Sequence, residues 1–193
     1  MKTACLKLAT ALVLVLALSQ PVAAHHTPSH SQCAPVQYCL FAGCWYELLN
    51  NPEFGGTYPT CTNWVGASVT SSPDCFNSNA AVLSPSSSLF TQNFTVPAGS
   101  SGILHDIAVE FATLGGTPAS TSDRILLELW EGGILRKRIT IYTMNSPTYC
   151  HREDHSFGTT NFAGKNLQLR VRGLFSTPGI SYRINSIQIF TNA

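Results

Sequence analysis

Leu167-Gln168-Leu169-Arg170-Val171-Arg172, followed after Gly173–Gly179 by Ile180-Ser181-Tyr182-Arg183-Ile184, decides the fold of this chain. Leu167, Leu169 and Val171 alternate with Gln168, Arg170 and Arg172, which is the period of two of a half-buried strand. Pro178 and Gly179 are turn residues. Ile180, Tyr182 and Ile184 then alternate with Ser181 and Arg183. The phase slips by one at Asn185–Ser186 and resumes with Ile187 and Ile189, which predicts a β-bulge that bends the strand. Two long amphipathic strands need a second layer over their apolar face, and the preceding segments can supply it.

Upstream, Phe90, Phe94 and Val96 share a face, and Pro97–Gly99 ends that run. Ile107, Val109 and Phe111 alternate with Asp106, Ala108 and Glu110. Ile125, Leu127 and Leu129 alternate with Leu126, Glu128 and Trp130. Gly132–Gly133 is then a hairpin turn, and 135–142 is the return strand. Ala80 to Leu83 is a short apolar segment, and 145–160 reads as a polar loop. No segment has a convincing helical period. Eight to ten strands with closely spaced turn signals predict an all-β antiparallel sandwich.

Composition points to the outside of a cell. Charged residues are only 11% of the 193, and the net charge is +1, so nothing favours a nucleic-acid partner. Met1 to Ala24 has a weakly basic start, a short apolar run and an A-x-A-like end. That reads as a secretory signal peptide rather than a membrane span. Removing it leaves Cys33, Cys39, Cys44, Cys61, Cys75 and Cys150. An even count in a secreted chain predicts three disulfides, with fifteen possible pairings; Cys61–Cys75 is one short closure. The expected organisation is a signal peptide over 1–24, a flexible and cysteine-rich extension over 25–45, and a sandwich domain over 46–193. The protein is expected to be secreted and extracellular.

Leu48-Leu49-Asn50-Asn51-Pro52-Glu53-Phe54 with Trp64, then Asn79-Ala80-Ala81-Val82-Leu83, then Phe90 to Gly99, appear in that order. Later come Ala163-Gly164-Lys165-Asn166-Leu167-Gln168-Leu169 and Tyr182-Arg183-Ile184-Asn185-Ser186-Ile187. The series resembles carbohydrate-binding modules of the family 4/9 type, within the galactose-binding-like jelly-roll group. It covers Tyr46 to about Thr191. The resemblance implies a jelly roll, a polysaccharide or glycoconjugate partner and no catalytic cofactor. It also makes Trp64 a core residue. Relatives often hold a structural calcium ion through acidic residues at positions that match Gly55 and Asn185. Calcium favours several charged oxygen ligands, so these two departures weigh against the ion.

Sugar recognition on such a fold needs a flat aromatic face and polar groups for the hydroxyls. Trp130 and Glu128 are expected to project together, as are Gln168, Arg170 and Arg172. If their strands share a sheet, they form one polar, aromatic-bearing surface. Tyr142 and Tyr149 are rim candidates. His151, Glu153 and His155 lie in the densest polar cluster, read here as a solvated loop without zinc-binding spacing. His25, His26 and His30 raise a copper chelate at a mature terminus, but twenty or so residues separate them from the domain. Glu110 and Glu128 are the best placed carboxylate pair for glycoside hydrolysis, with no motif to support them. The reading is therefore a non-catalytic glycan-binding module. The alternative is a structural or protein-interaction domain, whose sign would be a Trp130 face covered by loops. An enzyme is the remaining class. Glycan identity and oligomeric state stay open.

Overall fold

A computed structural model describes residues 33–40, 43–50, 52, 54, 64–71, 79–85, 89–118, 120–143 and 148–193. The signal peptide, His25, His26, His30, Gly55, Cys61 and Cys75 lie outside them, as does the proposed Cys61–Cys75 bridge. The described residues form eleven strands: β1 Val36–Leu40, β2 Gly43–Glu47, β3 Ser68–Ser71, β4 Asn79–Leu83, β5 Leu89–Thr95, β6 His105–Leu114, β7 Arg124–Glu131, β8 Ile134–Tyr142, β9 His151–His155, β10 Asn166–Leu174 and β11 Ser181–Asn192. They make two antiparallel sheets that pack as a jelly-roll sandwich. One sheet has the order β5-β10-β7-β8. The other is built on β11, which pairs with β6 along one edge and with β4 and β2 along the other. β9 extends that sheet beyond β6, β3 extends it beyond β4, and β1 extends it beyond β2.

The alternation read from the sequence is what fills the core. β10 buries Leu167, Leu169 and Val171, and β7 buries Ile125, Leu127 and Leu129 in register with them. Tyr182, Ile184, Ile187 and Ile189 come from β11 on the facing sheet. Each fully buried side chain of this size contributes roughly 1.5–3 kcal/mol of transfer free energy. The phase slip is a bulge: Ile184 pairs with Phe111 and Ser186 with Glu110, leaving Asn185 extra. Trp64 packs against Phe54 and Phe90, both at 5.2 Å between ring centroids, so it belongs to the core.

Two sequence expectations change. The cysteine-rich segment joins the sandwich from Val36 onward. β1 and β2 form a hairpin closed by the Cys39–Cys44 disulfide, and Trp45–Glu47 pair with Phe190–Asn192 of β11. The supposed polar loop over 145–160 contains β9. As an edge strand with polar residues on both sides, β9 carries no apolar alternation to betray it.

Candidate functional site

β7 and β10 run in register, with Gln168 opposite Trp130 and Arg170 opposite Glu128. Because successive side chains alternate between faces, the core leucines fix which way the polar set points. Glu128, Trp130, Gln168, Arg170 and Arg172 therefore share the outer face of the four-stranded sheet. Arg138 joins them from β8, opposite Glu128.

Glu128 is fully buried under this layer. A buried carboxylate is costly unless it is paired and hydrogen-bonded, and here it is surrounded. Arg138 Nη2 lies 2.8 Å from Oε1, and Arg138 Nε donates to the same oxygen at 3.0 Å. Arg172 Nη1 is 3.7 Å from it. Trp130 Nε1 donates to Oε2 at 3.3 Å. The Arg170 guanidinium sits over the Trp130 ring, 4.0 Å from its centroid. Arg170 Nε donates to Gln168 Oε1 at 2.6 Å, and Gln168 Nε2 donates to Asn93 Oδ1 on β5 at 3.0 Å. The expected flat aromatic face is thus a layered one, with Arg170 on one side of the indole.

Beside this layer lies a cleft of about 560 Å³. Trp130, Gln168 and Arg170 line it together with Asn93, Asn166 and the Gly132–Gly133 turn. Asn50 and the Ala34–Pro35 pair are also among its lining residues. Ala34 N–H donates to Asn50 Oδ1 at 2.6 Å. Asn50 is held in turn by Gln92, a buried amide on β5. Asn50 N–H donates to Gln92 Oε1, and Gln92 Nε2 donates to Asn50 O, both at 2.8 Å. Sequence reasoning missed this wall because Ala34–Pro35 lies in a segment with no periodicity. The signals for Asn50 and Asn93 were present only as residue types. Gly132 and Gly133 have φ of 55° and 84°, values that favour glycine and give the tight turn at the rim. Among the described lining residues there is no carboxylate, imidazole or thiol.

The remaining candidates lie elsewhere. Tyr142 is exposed and pairs with Arg124, at the end of the same face opposite to Trp130. Tyr149 is exposed just before β9. Glu110 stands on β6 of the other sheet, so it and Glu128 are not on neighbouring strands, and the hydrolytic pair does not form. His151, Glu153 and His155 alternate on β9 and share one side. Glu153 Oε2 is 3.1 Å from His155 Nε2, and Glu153 Oε1 is 3.8 Å from His151 Nε2. The carboxylate thereby ties the two imidazoles together. Among the described residues no three or more His, Cys, Asp or Glu side chains gather to hold a metal ion. At the β11 bulge, Asn185 Nδ2 donates to Asn79 O at 3.1 Å. Cys33 and Cys150 are also disulfide-bonded.

The far end of the sandwich is fastened by Asp123, buried before β7. Its Oδ1 accepts from Ser176 N–H at 2.6 Å, Ser176 Oγ at 2.9 Å and Thr177 N–H at 2.9 Å. Thr177 Oγ1 donates to Oδ2. Burial alone would push this carboxyl up, but the four hydrogen bonds outweigh it and hold the pKa at about 2. Thr143 Oγ1 donates to Asp123 O at 2.8 Å, so the Tyr182 hydroxyl, 2.6 Å away, donates to Thr143. Burial pushes the Tyr182 phenol up to about 12, and the Asp123 charge adds to the rise.

No protein-family model matches the chain, and no curated protein does. Among solved structures the chain is similar to a carbohydrate-binding module, CBM61, in complex with β-1,4-galactotriose. They share 15% identity, 76% of this chain and 99% of that one are covered, and the TM-score is 0.45. It is also similar to the CBM36-1 domain of a multidomain xylanase from the hindgut metagenome of Trinervitermes trinervoides. That likeness has 10% identity, covers 68% of this chain and 90% of that one, and has a TM-score of 0.40. A Stig cyclase from Fischerella sp. TAU is similar at 12% identity, with 81% and 89% covered and a TM-score of 0.40.

Proposed function

We propose that this protein is a secreted, non-catalytic glycan-binding module whose site is the cleft beside Trp130. The observation that carries the reading is the make-up of that cleft. One indole stands among the side-chain amides of Asn50, Asn93, Asn166 and Gln168. Amides both donate and accept, as sugar hydroxyls do, and the indole offers apolar surface for the carbon face of a ring. The non-catalytic part follows from the acids. Glu128 is buried and saturated by arginines and the indole N–H. Such a carboxylate is badly placed to give or take a proton at a glycosidic oxygen.

A second reading, a protein-interaction domain without sugar, draws on one specific observation. Arg170 already covers one side of the Trp130 ring. Affinity electrophoresis separates the two readings. The mature protein should be retarded in gels containing a polysaccharide it recognises, and Trp130→Ala should run free. Retardation that survives Trp130→Ala places the site elsewhere. No retardation on any glycan class gives the protein-interaction reading precedence.

A further inference from the structure

We infer that the ligand of this face is an anionic polysaccharide, one carrying carboxylate or sulfate groups along its chain. This rests on the glycan-binding reading above and narrows it to a charge class. The outer face of the four-stranded sheet carries Arg124, Arg138, Arg170 and Arg172, set there by the β7–β8 and β7–β10 registers. Among its described residues the one carboxylate is Glu128, which is buried. The whole chain has 11 lysines and arginines against 10 acids, so four cations against one acid on one face is a strong local excess. Arg136 is not counted in it, because its Nε donates to Glu131 at 2.9 Å.

Glu128 does not neutralise the set. It holds Arg138 at 2.8 Å, whereas Arg172 stands off at 3.7 Å. Both arginines keep over two fifths of their side-chain surface open to solvent. Arg170 is bound to neutral groups, the Trp130 ring and Gln168, so its charge has no counter-ion in these contacts. Arg124 Nε is buried and has no acceptor. A guanidinium matches carboxylate and sulfate oxygens in a planar, bidentate way. Stacking on an indole fixes its plane before the ligand arrives. Arg124 and Trp130 are six residues apart on one strand, about 20 Å at roughly 3.4 Å per residue. Arg138 and Arg170 flank Glu128 from β8 and β10, and Arg172 lies opposite Leu126, so with Arg124 the cations form a patch across three strands that runs toward Trp130.

The test is affinity electrophoresis of the full mature chain in gels that contain polygalacturonate, its methyl ester, dextran sulfate or polyglutamate. The expected result is retention by polygalacturonate or dextran sulfate about 10-fold tighter than by the methyl ester, weakening as salt rises from about 50 to about 500 mM. The two acidic polymers distinguish carboxylate from sulfate. An R124A/R172A variant should lose about 5-fold or more in retention. R152A, on β9 of the other sheet, should match the parent, and equal melting temperatures would confirm that the variants fold. Equal retention by the methyl ester overturns the charge inference and leaves the glycan reading standing. Retention by polyglutamate as strong as by polygalacturonate overturns it too. Retention by none of these sugars overturns the charge inference, while the glycan reading falls only if no glycan class retards the protein.

Discussion

Asp123→Asn is expected to weaken the fold by about 2 kcal/mol near neutral pH and to remove part of its acid sensitivity. The side chain is buried and accepts four hydrogen bonds from Ser176 and Thr177. Those bonds hold its pKa at about 2, against an ordinary 3.8. A carboxyl whose folded pKa is depressed stabilises the fold above its unfolded pKa and loses that stabilisation as pH falls through the folded value. The difference of about 1.8 units, at 1.36 kcal/mol each, is about 2 kcal/mol. By the same linkage about 0.4 kcal/mol of it remains at pH 2. Asparagine keeps the shape but not the charge and cannot accept on both atoms. The assay is urea unfolding followed by tryptophan fluorescence, for parent and variant, at about pH 7 and about pH 2. The gap should be about 2 kcal/mol at the first and under half of that at the second. A gap that stays constant with pH, or one under about 0.5 kcal/mol at pH 7, would refute the reasoning.

Other consequences follow from the same contacts. Gln92→Leu leaves the Asn50 N–H and C=O without their buried partner. It should cost about 2–3 kcal/mol by chemical denaturation and loosen the cleft wall. Replacing Cys39 and Cys44 by serine opens a closure of five-residue separation. By chain entropy that is worth about 2 kcal/mol, and amide exchange should rise over Val36–Glu47 before the core strands. Gly115→Ala would place a Cβ 2.1 Å from the Gly179 carbonyl oxygen, at a φ of +83°. The melting temperature should fall sharply, and an unchanged value would contradict the described approach of those two loops.

Where one face of a strand is buried and the other wet, the sequence was readable. β7, β10 and β11 were legible because leucine, isoleucine and valine alternate with polar residues over many positions. The slip at Asn185–Ser186 was visible as a break in that same period. The shared face of Glu128 and Trp130 followed from parity alone. Pairing across the sheet did not, because alternation says which face a residue takes and not which strand lies beside it. Hence Glu110 and Glu128, the best placed carboxylate pair in the sequence, belong to different sheets. β9 was hidden because an edge strand with His151, Glu153 and His155 half-buried needs no apolar residue. The hairpin β1–β2 was hidden because it is short and mostly half-buried or exposed, without a clean apolar alternation. With it went the Ala34–Pro35 wall of the cleft. The stacking of Arg170 on Trp130 depends on a diagonal contact between strands, which no local pattern encodes.

The most direct test of the central claim is an NMR titration that follows the indole N–H signals of the three tryptophans. In the free protein the Trp130 indole N–H donates to Glu128 beside the cleft. Trp64 packs against the core, and Trp45 lies on β2 in the other sheet. Titrated with cellotriose and with trigalacturonate, the protein should show a saturable shift of the Trp130 signal with at least one of them. Trp45 and Trp64 should stay in place. Signals that do not move with either sugar, or that move for Trp45 or Trp64 and not for Trp130, would contradict a glycan site in this cleft.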